Sequence, residues 1–155
     1  MEKRKLLIVE DDPGLQKQLK WSFENYELEV AGDRASALEA LRRLEPPVVT
    51  LDLGLPPDPA NASEGLQTLN EILRAAPTTK VIIVTGNDDR DVAVKAVGQG
   101  AYDFYEKPID PDVLSLIVER AHRLHELETE NRRLAASVRE PLSGVIAGST
   151  QMLEV

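Results

Sequence analysis

Pro47-Val48-Val49-Thr50-Leu51-Asp52 is an apolar run closed by a carboxylate. It is short for a helix, it lacks the alternation of a strand that wets one face, and it reads as a strand buried on both sides of a parallel sheet. Working outward, three more short stretches of this kind lead into reactive side chains: the acidic cluster Glu10-Asp11-Asp12, then Thr85, then Lys107. A parallel sheet delivers all four strand ends to its carboxyl edge, where α/β folds place their ligands. Clustered carboxylates, a hydroxyl and an ammonium at such an edge suit phosphoryl chemistry. The acids bind a hard dication through oxygen, a lone carboxylate acts as nucleophile, and the hydroxyl and ammonium hold phosphoryl oxygens after transfer.

The rest of the chain alternates in the same way. Lys5 to Glu10 reads as a strand, and Pro13 to Asn25 as a helix with Leu15, Leu19 and Phe23 on one face. Glu27 to Ala31 is a strand, and Asp33 caps a helix that runs through Leu44 and stops at Pro46-Pro47. Glu64 to Ala76 reads as a helix, Lys80 to Thr85 as a strand, Asp88 to Gln99 as a helix closed by Gly100, and Ala101 to Glu106 as a strand; Asp110 opens a long last helix. This alternation predicts a doubly wound α/β sandwich on a five-stranded parallel sheet.

Composition narrows the function classes. The chain has 155 residues, enough for one domain and an appendage. It has no cysteine, which excludes disulfides, thiolate metal sites and a cysteine nucleophile. The basic start Met1-Glu2-Lys3-Arg4-Lys5 is followed by too short an apolar run for a signal peptide. No stretch approaches the roughly 20 apolar residues that span a bilayer, so a cytoplasmic protein without a membrane partner is expected. Of the net charge of −9, nearly all falls before Val113, where 21 acidic residues stand against 13 basic ones. Nothing resembles a basic nucleic-acid face, so no nucleic-acid contact by this chain is expected.

Four ordered motifs bring a family into view: Leu6-Leu7-Ile8-Val9-Glu10-Asp11-Asp12, Thr50-Leu51-Asp52-Leu53-Gly54-Leu55-Pro56, Val84-Thr85-Gly86, and Ala101-Tyr102-Asp103-Phe104-Tyr105-Glu106-Lys107-Pro108. Over about residues 5 to 118 they closely resemble the receiver domain of two-component response regulators. The resemblance implies a flavodoxin-like strand order 2-1-3-4-5, phosphorylation of Asp52 by a sensor histidine kinase, and Mg²⁺ as cofactor. It makes Asp11 the direct metal ligand, Asp52 a second, the Gly54 backbone carbonyl a third, and Glu10 the additional acid, acting directly or through water. Asp12 is expected instead to cap the helix that Pro13 begins. Lys107 is the charge that pairs with carboxylate and then phosphate, and Lys107-Pro108 matches the family's cis-proline step. Thr85 and Phe104 are implied as the switch pair, with Tyr102 and Tyr105 near enough to share the aromatic role.

One stretch departs from the family pattern Asp-x-x-x-Pro-x-x-x-Gly. Thirteen positions separate Asp52 from Gly65, so the segment from Pro56 to Ser63 carries roughly five extra residues beside the site. It is either a surface insertion or a lid that alters phosphodonor access.

Beyond the receiver, Ile117, Leu124, Asn131 and Val138 fall seven apart, with Leu127 and Leu134 on the complementary seam. This predicts a parallel two-stranded coiled coil making a homodimer. Asn131 fixes its register, and Arg123 and Glu128 are placed to pair between chains; the alternative is a helix folded back on its own receiver. His122 and His125 lie off the seam and are expected to be solvated. Residues 141–155 resemble the opening of the AAA+ ATPase domain of sigma-54-dependent activators, although no Gly-x-x-x-x-Gly-Lys follows. The expected organisation is a receiver over 1–118, a coiled-coil linker over 119–140, and the start of a truncated ATPase domain over 141–155. That is the plan of an NtrC-class regulator, whose full-length form would contact DNA and sigma-54 RNA polymerase. Two stretches, Gln16 to Phe23 and Val84 to Asp89, further resemble the response regulators that accompany PEP-CTERM protein-sorting and exopolysaccharide systems.

The function expected is therefore that of a phosphoacceptor, not an enzyme, which gates a downstream ATPase by dimer rearrangement. Two rivals stand beside it: a Mg²⁺-dependent aspartyl-phosphate phosphatase, which usually wants an acid where Gly54 stands, and a dimerisation module that no longer signals.

Overall fold

The computed structural model describes residues 3–55, 63–86 and 90–145. Its elements are β1 (Lys5–Val9), α1 (Pro13–Ser22), β2 (Glu27–Ala31), α2 (Arg34–Leu44), β3 (Val48–Asp52), α3 (Ser63–Ala75), β4 (Lys80–Thr85), α4 (Arg90–Gly98), β5 (Asp103–Glu106) and α5 (Pro111–Val145). The strands form one parallel sheet in the order β2-β1-β3-β4-β5, as expected. Position in the sheet follows apolar content. All five residues of β3 are buried, as are most of β1 and β4, whereas the edge strands β2 and β5 keep exposed or half-buried positions.

Strand alternation sends side chains to two cores. On one face Leu7, Val9, Val49, Leu51, Val81 and Ile83 pack with residues of α2, α3 and α4. On the other, Leu6, Ile8, Val48 and Ile82 meet Leu19 of α1, Phe23 just after it, and Leu114, Val118 and Ala121 of α5. Two layers of helix around a twisted sheet leave only the strand ends for chemistry.

The caps show why the elements begin where they do. Asp12 precedes Pro13 and its carboxylate accepts from the Gly14 N–H at 3.1 Å, so it is the N-cap expected. Asp33 and Ser36 form a reciprocal capping box at α2. Two boundaries differ from the sequence reading by more than one residue. Helix α1 stops at Ser22, not Asn25, because Phe23 is buried and stacks edge-on against Tyr26 at 5.5 Å, which turns the chain back into β2. Strand β5 begins at Asp103, not Ala101, because the Ala101 N–H bonds back to the Ala96 carbonyl at 3.1 Å behind Gly100 at φ +122°, closing α4. The expected start of α4 at Asp88 lies outside the described residues.

One expectation for α5 is corrected. His122 is not solvated: it is 1 % exposed, and its ring lies 5.4 Å from that of Tyr26. Ile117, assigned to the coiled-coil seam, is half-buried against the α1–α5 core. In both cases the sheet claims the first turns of α5, and a heptad count cannot see that competition.

Gly65 is fixed by close approach. A Cβ there would lie 2.5 Å from the Leu53 Cα and carbonyl oxygen, so α3 rests directly on the backbone just after Asp52. Leu55, just before the extra residues, is buried; the segment 56–62 itself lies outside the described residues. Gly65→Ala should lower stability by about 1–3 kcal/mol, because backbone must move to admit the methyl group. An unchanged denaturation midpoint would disprove this close packing.

The chain divides into two compact units, Met1–His122 and Arg123–Val155. In the second, α5 continues to Val145. Leu127 and Leu134 are 62 % and 55 % exposed, and they line one shallow hollow with Glu128, Glu130 and Asn131. Arg133 bonds Glu130 one turn earlier. The side chain of Val138 and residues 146–155 lie outside the described residues. No helix among those described is long and apolar enough to cross a membrane.

Candidate functional site

The carboxyl ends of β1, β3, β4 and β5 bring together the residues singled out in the sequence. Asp52, the last residue of β3, is 7 % exposed and is fixed from two sides. The Gly54 N–H donates to its Oδ1 at 3.0 Å, and the Lys107 ammonium donates to its Oδ2 at 3.3 Å. Lys107 also lies 3.6 Å from the Glu10 Oε1, so one cation serves two carboxylates. Asp11 completes the group: Glu10, Asp11 and Asp52 each place a carboxylate oxygen within 4.8 Å of the others. The Lys107-Pro108 peptide is cis, as the resemblance implied.

Glu10 is held more tightly than its neighbours. The Asp12 N–H donates to its Oε2 at 3.2 Å, and the Gln16 side-chain amide donates to its backbone carbonyl from the first turns of α1. Burial, then the hydrogen bond and negative charge of Asp52, push its carboxyl up to about 8. Lys107 moves the other way from what burial alone dictates, because Asp52 and Glu10 hold its ammonium above the usual range. Three hard oxygen donors crowded at one sheet edge are a donor set that fits Mg²⁺.

This has a consequence for stability. With metal chelated, Glu10 binds its proton more tightly folded than unfolded, so its contribution is fully present below its ordinary value of 4.5 and is lost as pH rises to about 8. Lys107 stays charged throughout that window. In EDTA the unfolding midpoint should fall between these limits more steeply in wild type than in Glu10→Gln; identical slopes would disprove the shift.

Thr85 ends β4 and is buried, its hydroxyl donating a long 3.4 Å hydrogen bond to the Gly86 carbonyl. Phe104 is half-buried against the α2–α3–α4 core, while Tyr102 and Tyr105 face the α1–α5 core. Alternation along β5 separates Phe104 from Tyr105, while Tyr102 precedes the strand.

Comparison with known proteins agrees with this geometry. Residues 6–119 match the family model described as response regulator receiver domain. The chain belongs to the response regulator receiver family. Over 152 residues this receiver chain is 34 % identical to the C4-dicarboxylate transport transcriptional regulatory protein DctD of Pseudomonas aeruginosa, covering 92 % of this chain and 31 % of that protein. The crystal structure of NtrX from Brucella abortus in complex with ADP superposes with a TM-score of 0.78 at 30 % identity, covering 96 % of this chain and 31 % of that one. The receiver domain of NtrX from Brucella abortus alone gives 0.69 at 35 % identity, covering 75 % and 96 %. The chain spans about a third of the length of the curated relatives it matches.

Sequence reading missed the parts that orient the receiver's reactive groups. Gln16, in the first turns of α1, reaches back to the Glu10 carbonyl. Arg34 bridges Glu64 at 3.0 Å and Glu71 at 2.8 Å, tying the start of α2 to α3. No local pattern marks a contact between residues so distant in sequence.

Proposed function

We propose that this chain accepts a phosphoryl group on Asp52 from a sensor histidine kinase and signals through its C-terminal helix. The observation that carries this reading is the Asp52 carboxylate at the sheet edge, held by Lys107 at 3.3 Å and flanked by Glu10 and Asp11. Attack by an Asp52 oxygen on the phosphorus forms an acyl phosphate. The bond to the donor nitrogen breaks, and its electron pair leaves with the donor imidazole. Lys107, already shared between carboxylates, follows the charge from Asp52 onto the phosphoryl oxygens. Asp11, Asp52 and the Gly54 carbonyl would hold Mg²⁺, with Glu10 beside them. When bound, the ion supplies the positive charge that lets one anion approach another.

Thr85 and Phe104 are the switch in this reading. The weakly committed Thr85 hydroxyl turns toward the phosphoryl oxygens, and the half-buried Phe104 ring takes up the space it leaves. The output runs through a parallel dimer of the 119–140 segment to an ATPase domain of the sigma-54 activator type, beyond this chain. Relatives that are named transcriptional regulatory proteins and are about three times as long support that context.

Acetyl phosphate with Mg²⁺ should add one phosphoryl group per chain without turnover of small phosphoesters. Sustained hydrolysis would instead establish a phosphatase. Beryllofluoride should shift amide resonances from Thr85 to Tyr105, and Thr85→Ala should keep phosphorylation within a few-fold while losing that shift. Phe104 unmoved in wild type between the two states would remove it as the switch.

A further inference from the structure

The chain must leave β5 at Glu106, turn Lys107 back over Asp52 and start α5 within a few residues. Two hydrogen bonds bracket that passage. The Lys107 N–H donates to the Thr85 carbonyl at 2.7 Å, fixing its start to β4. At its end the Asp110 N–H donates to the phenolic oxygen of Tyr105, also at 2.7 Å. Asp110 already belongs to the helix start: its carbonyl accepts from Leu114 at 3.0 Å and its carboxylate from the Asp112 N–H at 3.0 Å. The Tyr105 ring is seated against the α1–α5 core. Its hydroxyl therefore closes a loop of fixed perimeter with Lys107 inside it.

We propose that Tyr105 is a positioning residue for phosphoryl transfer, acting through Lys107. A lysine side chain has four rotatable bonds and no planar fork to organise it, so its aim depends on where its backbone is held. The Lys107 ammonium reaches Asp52 at 3.3 Å and Glu10 at 3.6 Å, distances that a small drift of the 106–109 turn would lengthen past effective pairing. The Thr85 tether alone holds one side of Lys107; the Tyr105 tether holds the other. Tyr105 thereby differs from Phe104, which faces the opposite core and belongs to the switch. This role rests on the phosphoacceptor reading, but the loop closure can be observed without it.

Tyr105→Phe keeps the ring and deletes only the acceptor. Phosphoryl uptake from acetyl phosphate should slow about threefold to tenfold, the effect of losing one hydrogen bond at a site of this kind. The same change made in Lys107→Ala should slow uptake no further, since nothing remains to be positioned. In the unphosphorylated, metal-free protein, the Lys107 side-chain resonances should move toward those of a solvated lysine, and the Asp110 amide should exchange faster. Losses that multiply in the double variant, or unmoved Lys107 resonances with a faster Asp110 amide, would reduce Tyr105 to a helix cap and overturn the proposal. A wild-type protein that takes up no phosphoryl group would sink the phosphoacceptor reading instead, and the resonances would still decide whether Tyr105 positions Lys107.

Discussion

Asp52→Asn protein, treated with acetyl phosphate and Mg²⁺, is expected to show no phosphoryl adduct by intact mass under conditions that label the wild type fully. The substitution is nearly isosteric and keeps an acceptor for the Gly54 N–H, so the fold should persist. What it removes is the nucleophile: a neutral amide oxygen does not form an acyl phosphate. It also removes one of the two carboxylates that share Lys107. With Asp52 neutral, part of what raises the Glu10 carboxyl disappears, and its titration should fall back toward the ordinary range. An adduct of equal abundance in the variant would show that another residue is the acceptor, with Asp11, which the metal reading requires as ligand, the first to examine.

The sheet and the reactive side chains were legible because both follow from short-range rules. Five apolar runs separated by helix-length segments admit few arrangements, and each reactive residue stands at or next to the end of its run. Asp52, Thr85 and Lys107 therefore needed no knowledge of side-chain packing to be placed at one edge. The Asp12 cap was legible for the same reason, since Pro13 announces the first turn of α1.

What escaped was settled by competition between distant residues. Ile117 satisfies a heptad, yet it is half-buried against its own chain's core. His122 looks like a solvated polar residue on a charged helix, but it is buried and meets Tyr26, far from it in sequence. The hydroxyl of Tyr105 reaching Asp110 depends on the path of the turn between them, and composition does not encode that path. Gly65 entered the sequence reading only as a spacing marker; its need for glycine comes from the Leu53 backbone against it. In each case the sequence supplied the group, and tertiary placement supplied its role.

The second large effect concerns association. The wild-type chain is expected to be dimeric at tens of micromolar without phosphate, and the Leu127→Glu, Leu134→Glu double variant monomeric. Those two leucines are 62 % and 55 % exposed in one chain, on the same stretch as the exposed Asn131. Fully burying a leucine side chain contributes on the order of 1.5 to 3 kcal/mol. Two per chain, with Leu124 adding to the seam, give a dimer enough apolar area to offset the cost of bringing chains together. Asn131 works against stability and in favour of register, since paired across a parallel seam two asparagines bond each other, whereas any slipped or antiparallel arrangement leaves them against apolar neighbours. Because Ile117 is committed to the body, the seam should begin at Leu124, and Ile117→Ala should destabilise the receiver's fold without dissociating the dimer. The double variant should still accept phosphate, since Asp52 and Lys107 lie in the other compact unit. Sedimentation that finds the wild type monomeric at tens of micromolar, phosphorylated or not, would defeat the coiled coil.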